Sequence, residues 1–434
     1  MGEDVLNVRV NGSAFENCKK LPSFVVDVLG DVVIESMAFS GCPSLSNVFF
    51  RANNVSVAYS GFSDSRVETV TILAKTISIG GRAFGENLTT VAFPEQADLI
   101  ELESFAFAWC EDLESITMPK QVGCMKIDDW AFRLCRGLQN LSFPATVESV
   151  GKSAFESCSG LHSVSFEDGL SSIGEDAFSG CSELFSIKIP STVTNIGTGA
   201  FDGCMRVSQI DISSVGNWLK LCQSGGSPIP PSSGVSFCLN GKAINELLIP
   251  DGVGEIGANA FYGGCFSSVT FMSGVTNVGE NAFKGCESLS TVSVPSVEDW
   301  LNLRFANVDA NPLHMGAALN VGGAELTELV IPEGTTEISD YAFVGGEFAS
   351  VSIPNSVTNV ASTAFEGCSN IFSVSLGGGL CEGMPVCKMP TGDWLDLGNG
   401  LYQSGEIVNT WSGNSSMSVQ LNGSSGMNVG LRTP

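Results

Sequence analysis

Histidine is almost missing from this sequence: there are two in 434 residues, His162 and His314. Neither has a cysteine or carboxylate cluster beside it along the chain, so a zinc site of familiar type and a histidine-based triad both lack material. Basic residues are scarce as well, 20 Lys and Arg against 46 Asp and Glu, giving a net charge of −26. A surface this acidic repels phosphate backbones and anionic lipid headgroups, which argues against nucleic acid and membrane surfaces as partners. No run of 18 apolar residues exists to span a bilayer. The opening MGEDVLNVRVNGSAF has neither the basic n-region nor the apolar h-region of a signal peptide. Only 15% of residues are charged, while 43% are hydrophobic and 50 are glycine. Such a chain can bury a large core but is rich in small residues, so internal repetition is tested before division into ordinary domains.

Repetition is plain. Ala-Phe followed closely by Cys recurs with Phe at 15, 39, 107, 132, 155, 178, 201, 261, 283 and 365. Phe84 and Phe343 keep the Ala-Phe without the Cys, and the gap between Phe39 and Phe84 is expected to hold a degenerate copy at Ala58-Tyr59. The unit is clearest from Leu184 to Cys204, LFSIKIPSTVTNIGTGAFDGC. Leu184, Ile187 and Ile189 have the spacing and branching of a strand that Pro190 ends, because proline cannot donate to a ladder. Val193 and Ile196 form a second apolar pair, Gly197 makes a turn, and Ala200-Phe201 returns to the core. A unit of about 23 residues cannot bury its own apolar face; stacked copies can. Fifteen segments carry the strand pattern, beginning at residues 21, 45, 67, 88, 113, 138, 161, 184, 207, 244, 266, 289, 326, 348 and 371. At about 4.8 Å per strand they would make a rod about 70 Å long.

The later sequence has a larger period. Phe201, Phe283 and Phe365 are evenly spaced, and Phe261 with Phe343 and Trp218 with Trp300 share that 82-residue interval. One long repeat therefore alternates with one short one. The long ones carry the insertions SSVGNWLKL from Ser213, SVEDWLNL from Ser296 and PTGDWLDL from Pro390. Each reads as a short helix, with Ser296 as N-cap, Asp299 at N3 and the Trp against the solenoid edge. The expected organisation is 1–210 regular repeats, 211–376 repeats in the 82-residue pattern, and 377–434 an incomplete third long repeat. Neither end shows the polar cap a solenoid needs, so an excised segment is expected.

The unit L-x-x-[IV]-x-[IV]-P-x-x-V-x-x-I-G-x-x-A-F-x-G-C resembles the BspA-like leucine-rich repeat family, matched almost position for position by Leu184 to Cys204 and over roughly residues 1 to 376. The resemblance implies a right-handed, β-rich leucine-rich repeat solenoid with a parallel concave sheet and 22–25 residues per turn. It further implies a cell-surface or secreted location and a role in adhesion or recognition. Its motif residues are structural, so they carry over the fold and no binding site.

Ten cysteines stand in the repeat column: 18, 42, 110, 135, 158, 181, 204, 265, 286 and 368. Buried free thiols are favoured over disulfides between turns, because cysteine packs as a small apolar residue and a regular column suits disulfide geometry badly. Cys222 with Cys238, or Cys381 with Cys387, are open as loop disulfides in an oxidising compartment. Gly252 to Gly257 spells G-x-G-x-x-G, but no crossover helix follows and Gly257 is the repeat glycine. Outward acids such as Glu68, Glu114, Asp211, Glu246 and Glu328 show no pairing suited to glycoside cleavage. No catalytic residue, cofactor or metal is expected. What remains is the outward strand face, mostly Ser, Thr and Asn, with Phe49, Phe185 and Phe372 as aromatic exceptions. Phe49, Thr90, Asn140, Ser163, Phe185 and Phe372 are the candidate binding face for a protein or glycan on a monomeric, non-catalytic module, the alternative being a structural spacer.

Overall fold

The computed structural model describes residues 6–223, 228–229, 234–371 and 373–376, and the backbone of three strands between 406 and 432. All fifteen pattern segments are strands. Their side chains alternate as the spacing requires: in Ser186–Ile189, Ile187 and Ile189 are buried and Lys188 is exposed. Pro190 follows directly. The chain divides into two compact units, Met1–Asn217 with Pro228–Ser232 and Phe237–Lys242, and Trp218–Ser227 with Ser233–Ser236 and Ala243–Pro434.

In the first unit the pattern strands stack in parallel as two sheets. One holds Ser23–Asp27, Asn47–Arg51, Thr69–Leu73, Thr90–Ala92 and Ser115–Thr117. The other continues with Asn140–Phe143, Ser163–Phe166, Ser186–Ile189 and Gln209–Ile212. The sequence marks the next apolar pair of each turn only as core. The structure makes it a second parallel ladder of nine strands, from Val8–Val10 to Asn195–Ile196, without interruption. Each turn therefore has two hydrogen-bonded walls.

Gly197 is needed for a reason other than turn dihedrals. A Cβ there would lie 2.3 Å from the backbone nitrogen of Glu175 and 2.6 Å from the carbonyl carbon of Gly174. The glycine column lets successive backbones touch.

The third side of each turn is an arch ending in the Ala-Phe segment. Its phenylalanines stack into a continuous ladder, Phe15, Phe39, Phe62, Phe84, Phe107, Phe132, Phe155, Phe178 and Phe201. Ring centroids are 4.9–5.8 Å apart and ring planes lie within 3–10° of parallel. Phe62 corrects the reading of the degenerate turn: Gly61 takes the place of Ala, Phe62 is the core ring, and Tyr59 is 52% exposed. Adjacent arches are tied by the Phe N–H donating to the Ala carbonyl of the next turn, 2.7 Å for Phe178 to Ala200.

In the second unit shorter parallel ladders repeat the plan: on one wall Glu246–Ile249, Ser268–Phe271, Thr291–Val294 and Ala318–Val321, then Glu328–Val330, Ser350–Ile353 and Ser373–Leu376, and on the other Glu255–Ile256, Asn277–Val278 and Arg304–Phe305, then Glu337–Ile338 and Asn359–Val360. Ala318–Val321 closes a hairpin with Ala324–Glu325. The backbone strands Glu406–Ser412, Ser416–Asn422 and Val429–Arg432 are antiparallel. The third insertion, 390–397, lies outside the described residues.

Two insertions are helices, α1 (Val215–Gln223) and α2 (Val297–Leu301). Ser296 caps α2: its hydroxyl accepts the Asp299 N–H at 3.0 Å and donates to the Asp299 carboxylate at 2.7 Å. The tryptophans do not rest on an edge. Trp218 and Trp300 are 1% and 0% exposed, and their indole N–H groups donate to the carbonyls of Ala260 and Ala342, each at 2.8 Å. Those carbonyls correspond to the ones that accept a Phe N–H in ordinary turns. The long repeat has no Ala-Phe, and its indole supplies the missing donor.

Candidate functional site

The outward strand positions form two columns of small polar residues in the first unit. Asn47, Thr69, Thr90 and Ser115 are in register on one sheet, and Asn140, Ser163, Ser186 and Gln209 on the other. Thr69 donates to Asn47, and Ser163 donates to Asn140 Oδ1 at 2.6 Å. Of the candidate residues, Asn140 and Ser163 are thus brought into contact. Thr90 occupies the matching column of the neighbouring sheet. Phe49 points outward from the next strand position but is half-buried, with the Arg51 guanidinium 5.6 Å from its ring centre. Phe185 immediately precedes Ser186–Ile189 and is 52% exposed. Phe372 lies outside the described residues.

Charges follow the same turn-to-turn logic. Lys120–Glu95 at 2.7 Å, Lys126–Glu101 at 2.6 Å, Arg136–Glu111 at 2.7 Å and Lys152–Glu175 at 2.9 Å each join consecutive turns. Hydrogen bonding to the partner carboxylates holds the Lys120, Lys126 and Lys152 ammonium groups above their ordinary range.

The cysteines of the column are free thiols, and so are Cys222 and Cys238 of the first insertion; Cys381 and Cys387 lie outside the described residues. Most thiols of the column donate to the Phe carbonyl of the preceding turn, at 3.1 Å for Cys135 and Cys158 and 3.2 Å for Cys181, Cys204 and Cys286. Burial pushes Cys158, Cys286 and Cys368 up to about 12. Such thiols are inert toward metals and oxidants, which react with thiolate. Cys265 departs from the column. The extra glycine in NAFYGGC displaces it by one residue, and it is exposed. Among the described residues no three His, Cys, Asp or Glu side chains converge as metal ligands would. A cavity of about 150 Å³ beside α2, lined by residues including Thr276, Asp299 and Asn302, is below the size of a typical small-molecule site.

A second surface is absent from the sequence reading. Most arches hold two residues in the left-handed conformation, one before the Ala-Phe pair and one at the place before Cys. Most turns fill them with residues that tolerate it: Ser60, Ser153, Asp176, Asn259 and Asn281 in the first place, Asn17, Gly41, Gly180 and Gly203 in the second. Three consecutive turns do not. Arg82, Phe105 and Trp130 occupy the first position at φ of 51°, 64° and 57°, and Trp109 and Leu134 the second at 66° and 64°. A left-handed L-residue with a large side chain costs roughly 1–2 kcal/mol. Met37 and Tyr341 bear the same conformation singly.

These side chains gather. Phe105 stacks on Trp130 at 4.9 Å and 5° and on Trp109 at 5.9 Å and 14°. Arg82 sits 4.1 Å over the Trp109 ring, and Arg133 approaches the same ring at 5.8 Å while pairing with Glu156 at 3.1 Å. Phe105, Trp109, Trp130 and Arg133 are half-buried, and Arg82 is exposed. Tyr59 adjoins them: a Cβ on Gly81 would have Tyr59 Cδ2 at 3.4 Å and Phe105 Cβ at 3.7 Å. Burial, with Asp129 and Glu103 alongside, holds the nearby Asp128 carboxyl above its usual range, so the surroundings are acidic.

A family profile described as the BspA type leucine-rich repeat region, in 6 copies, matches residues 8–135, 100–221, 235–308 and 322–382. Among solved structures, the chain is similar to a leucine-rich cell surface protein from Faecalibacterium prausnitzii A2-165, with 22% identity, 83% of this chain and 89% of that one covered, and a TM-score of 0.33. It is also similar to a leucine-rich repeat protein from Bacteroides ovatus ATCC 8483, at 20% identity, 81% and 86% coverage and a TM-score of 0.44. No curated protein matches.

Proposed function

The chain belongs to the BspA-type leucine-rich repeat family, and from that premise we propose that it is a non-catalytic recognition module of the cell surface that binds a protein or glycan through its outward strand face. The observation that carries this reading is Phe185. It stands 52% exposed between His162 and Ser208 of the adjoining turns, in a row of otherwise mostly polar residues, where nothing in the folded core rewards an aromatic ring. Phe49, Thr90, Asn140 and Ser163 form the rest of the described face. Small polar residues give little affinity singly, so binding is expected to depend on many copies acting together.

The test is a screen of the purified chain against matrix proteins, mucins and glycans, as monomer and on multivalent beads. Saturable binding lost in Phe49→Ser and Phe185→Ser supports the reading. No binding in either format refutes it and leaves a structural spacer.

A further inference from the structure

The cavity beside α2 is a pit with an apolar interior and a polar mouth. Phe271, Val275, Val294 and Leu303 line it and are buried, whereas Asp299 is half-buried and Thr276 and Asn302 are exposed. Thr276 is fully engaged: its hydroxyl donates to the Gly254 carbonyl at 3.0 Å and accepts from Asn277 Nδ2 at 3.2 Å. Asp299 is engaged on one side only. Its Oδ2 accepts the Ser296 hydroxyl at 2.7 Å, and among the described residues Oδ1 has no partner. Arg304, on the adjoining wall, is occupied with the Leu301 carbonyl at 3.1 Å. Capping the helix does not require a charge at this place. Across the 82-residue interval the counterparts of Asp299 and Asn302 are Asn217 and Lys220. There the Asn217 N–H still donates to Ser214 Oγ, at 3.1 Å.

These features select an occupant. A cavity of about this size holds a benzene ring, so the ligand is small. A wholly apolar ligand would strip water from Asp299 Oδ1 and give no hydrogen bond in return. An anion is repelled by that oxygen and by the net charge of −26. A guanidinium matches a carboxylate with both oxygens free, and Ser296 already holds one of these. A lysine side chain would enter charge first and set its ammonium among the buried apolar walls. The remaining fit is an apolar body that fills the pit, with a primary ammonium at the mouth that donates to Asp299 Oδ1 and to the Asn302 amide oxygen. The mouth offers no further free group for the amides that a peptide chain would bring. We propose that the pit beside α2 is a binding site for a small apolar monoamine, with Asp299 as the residue that selects its charge. The site lies in the second unit and the described strand-face candidates in the first, so either reading can fail without the other.

The test uses the full chain with ¹³C-methyl methionine, titrated at neutral pH with isopentylamine, isopentanol, leucine and leucyl-glycinamide. Met272 lines the pit, and its methyl signal, identified by its loss in Met272→Leu, is expected to shift and saturate with isopentylamine. The signal of Met205, 82% exposed and outside the pit, should stay fixed. Isopentanol has the same shape without the charge, and leucine adds a carboxylate; both should bind at least about tenfold more weakly. Asp299→Asn installs the residue that the first insertion carries at this place. It should keep its melting temperature and bind isopentylamine at least about tenfold more weakly. No saturable shift of Met272 at millimolar isopentylamine, equal affinity for isopentanol, or equal affinity in Asp299→Asn would each overturn the proposal. So would leucyl-glycinamide binding as tightly as isopentylamine, because the ligand would then be a peptide N-terminus. Should Asp299→Asn unfold, the comparison of isopentylamine with isopentanol on the parent chain still decides.

Discussion

Raising the pH should unfold this protein from its thiol column outward. Burial pushes Cys158, Cys286 and Cys368 up to about 12 from an ordinary 9.0, and in each the S–H faces a phenylalanine carbonyl that a thiolate would repel. Cys110, Cys135, Cys181 and Cys222 are shifted the same way. Because the folded value is the higher one, the stabilisation is complete below pH 9. It is lost as pH rises toward 12, where the unfolded chain has released protons that the folded chain still holds. One pH unit above the unfolded value is worth about 1.4 kcal/mol per thiol, so these three alone should remove about 4 kcal/mol at pH 10. Urea unfolding followed by circular dichroism, with reductant present, measures this at pH 7.5 and pH 10. Cys158→Ala controls for lysine and tyrosine titration, because it retains every other group. It should start less stable and lose about 1.4 kcal/mol less between the two pH values. A urea midpoint unchanged between pH 7.5 and pH 10, or a variant exactly as pH-sensitive as its parent, would refute the argument.

Phe178→Ala, which removes one rung of the ring ladder, should cost about 3–5 kcal/mol, whereas Phe185→Ser should leave the melting temperature nearly unchanged; equal effects would mean the inward and outward faces are misassigned. Trp218→Phe removes the indole donor to Ala260 and should cost about 1–3 kcal/mol beyond the change in packing. Trp300→Phe should cost less, because Asn311 Nδ2 also reaches the Ala342 carbonyl at 3.2 Å; denaturant midpoints of the pair decide. Gly174→Ala places a Cβ 2.7 Å from the Gly151 carbonyl carbon and should cost about 1–3 kcal/mol or more by calorimetry, an effect that Gly254→Ala, with open space around it, should not reproduce.

The pattern strands and the ring column were legible because they obey a period of two and a fixed spacing that single residues reveal. The second ladder was not. In most later turns it is two residues long, as in Asn195–Ile196, and its apolar partners are three apart, a spacing that reads as turn. Tyr59 was mistaken for a rung because Gly61 breaks the Ala-Phe signature in front of Phe62. Trp218 and Trp300 were placed on an edge because nothing in an isolated insertion says that a neighbouring alanine carbonyl wants a donor. Of the strand face, the outward direction of Phe185 could be read, but the hydrogen bond between Ser163 and Asn140 needed the register. The arch cluster left one overlooked trace. When the turns are aligned on Ala-Phe, the preceding position is Ser, Asp, Asn or Gly in most turns but Phe at 105 and Trp at 130.

An indole that substitutes for a peptide N–H also has a genetic meaning. Trp218 and Trp300 reach forward by the same distance, to Ala260 and Ala342, so each insertion carries its own means of joining the turn that comes after it. Unequal crossing-over between two such copies would remove or add an integral period and leave every carbonyl served. Length in this lineage can therefore change in whole cassettes, without compensating substitutions at the joint.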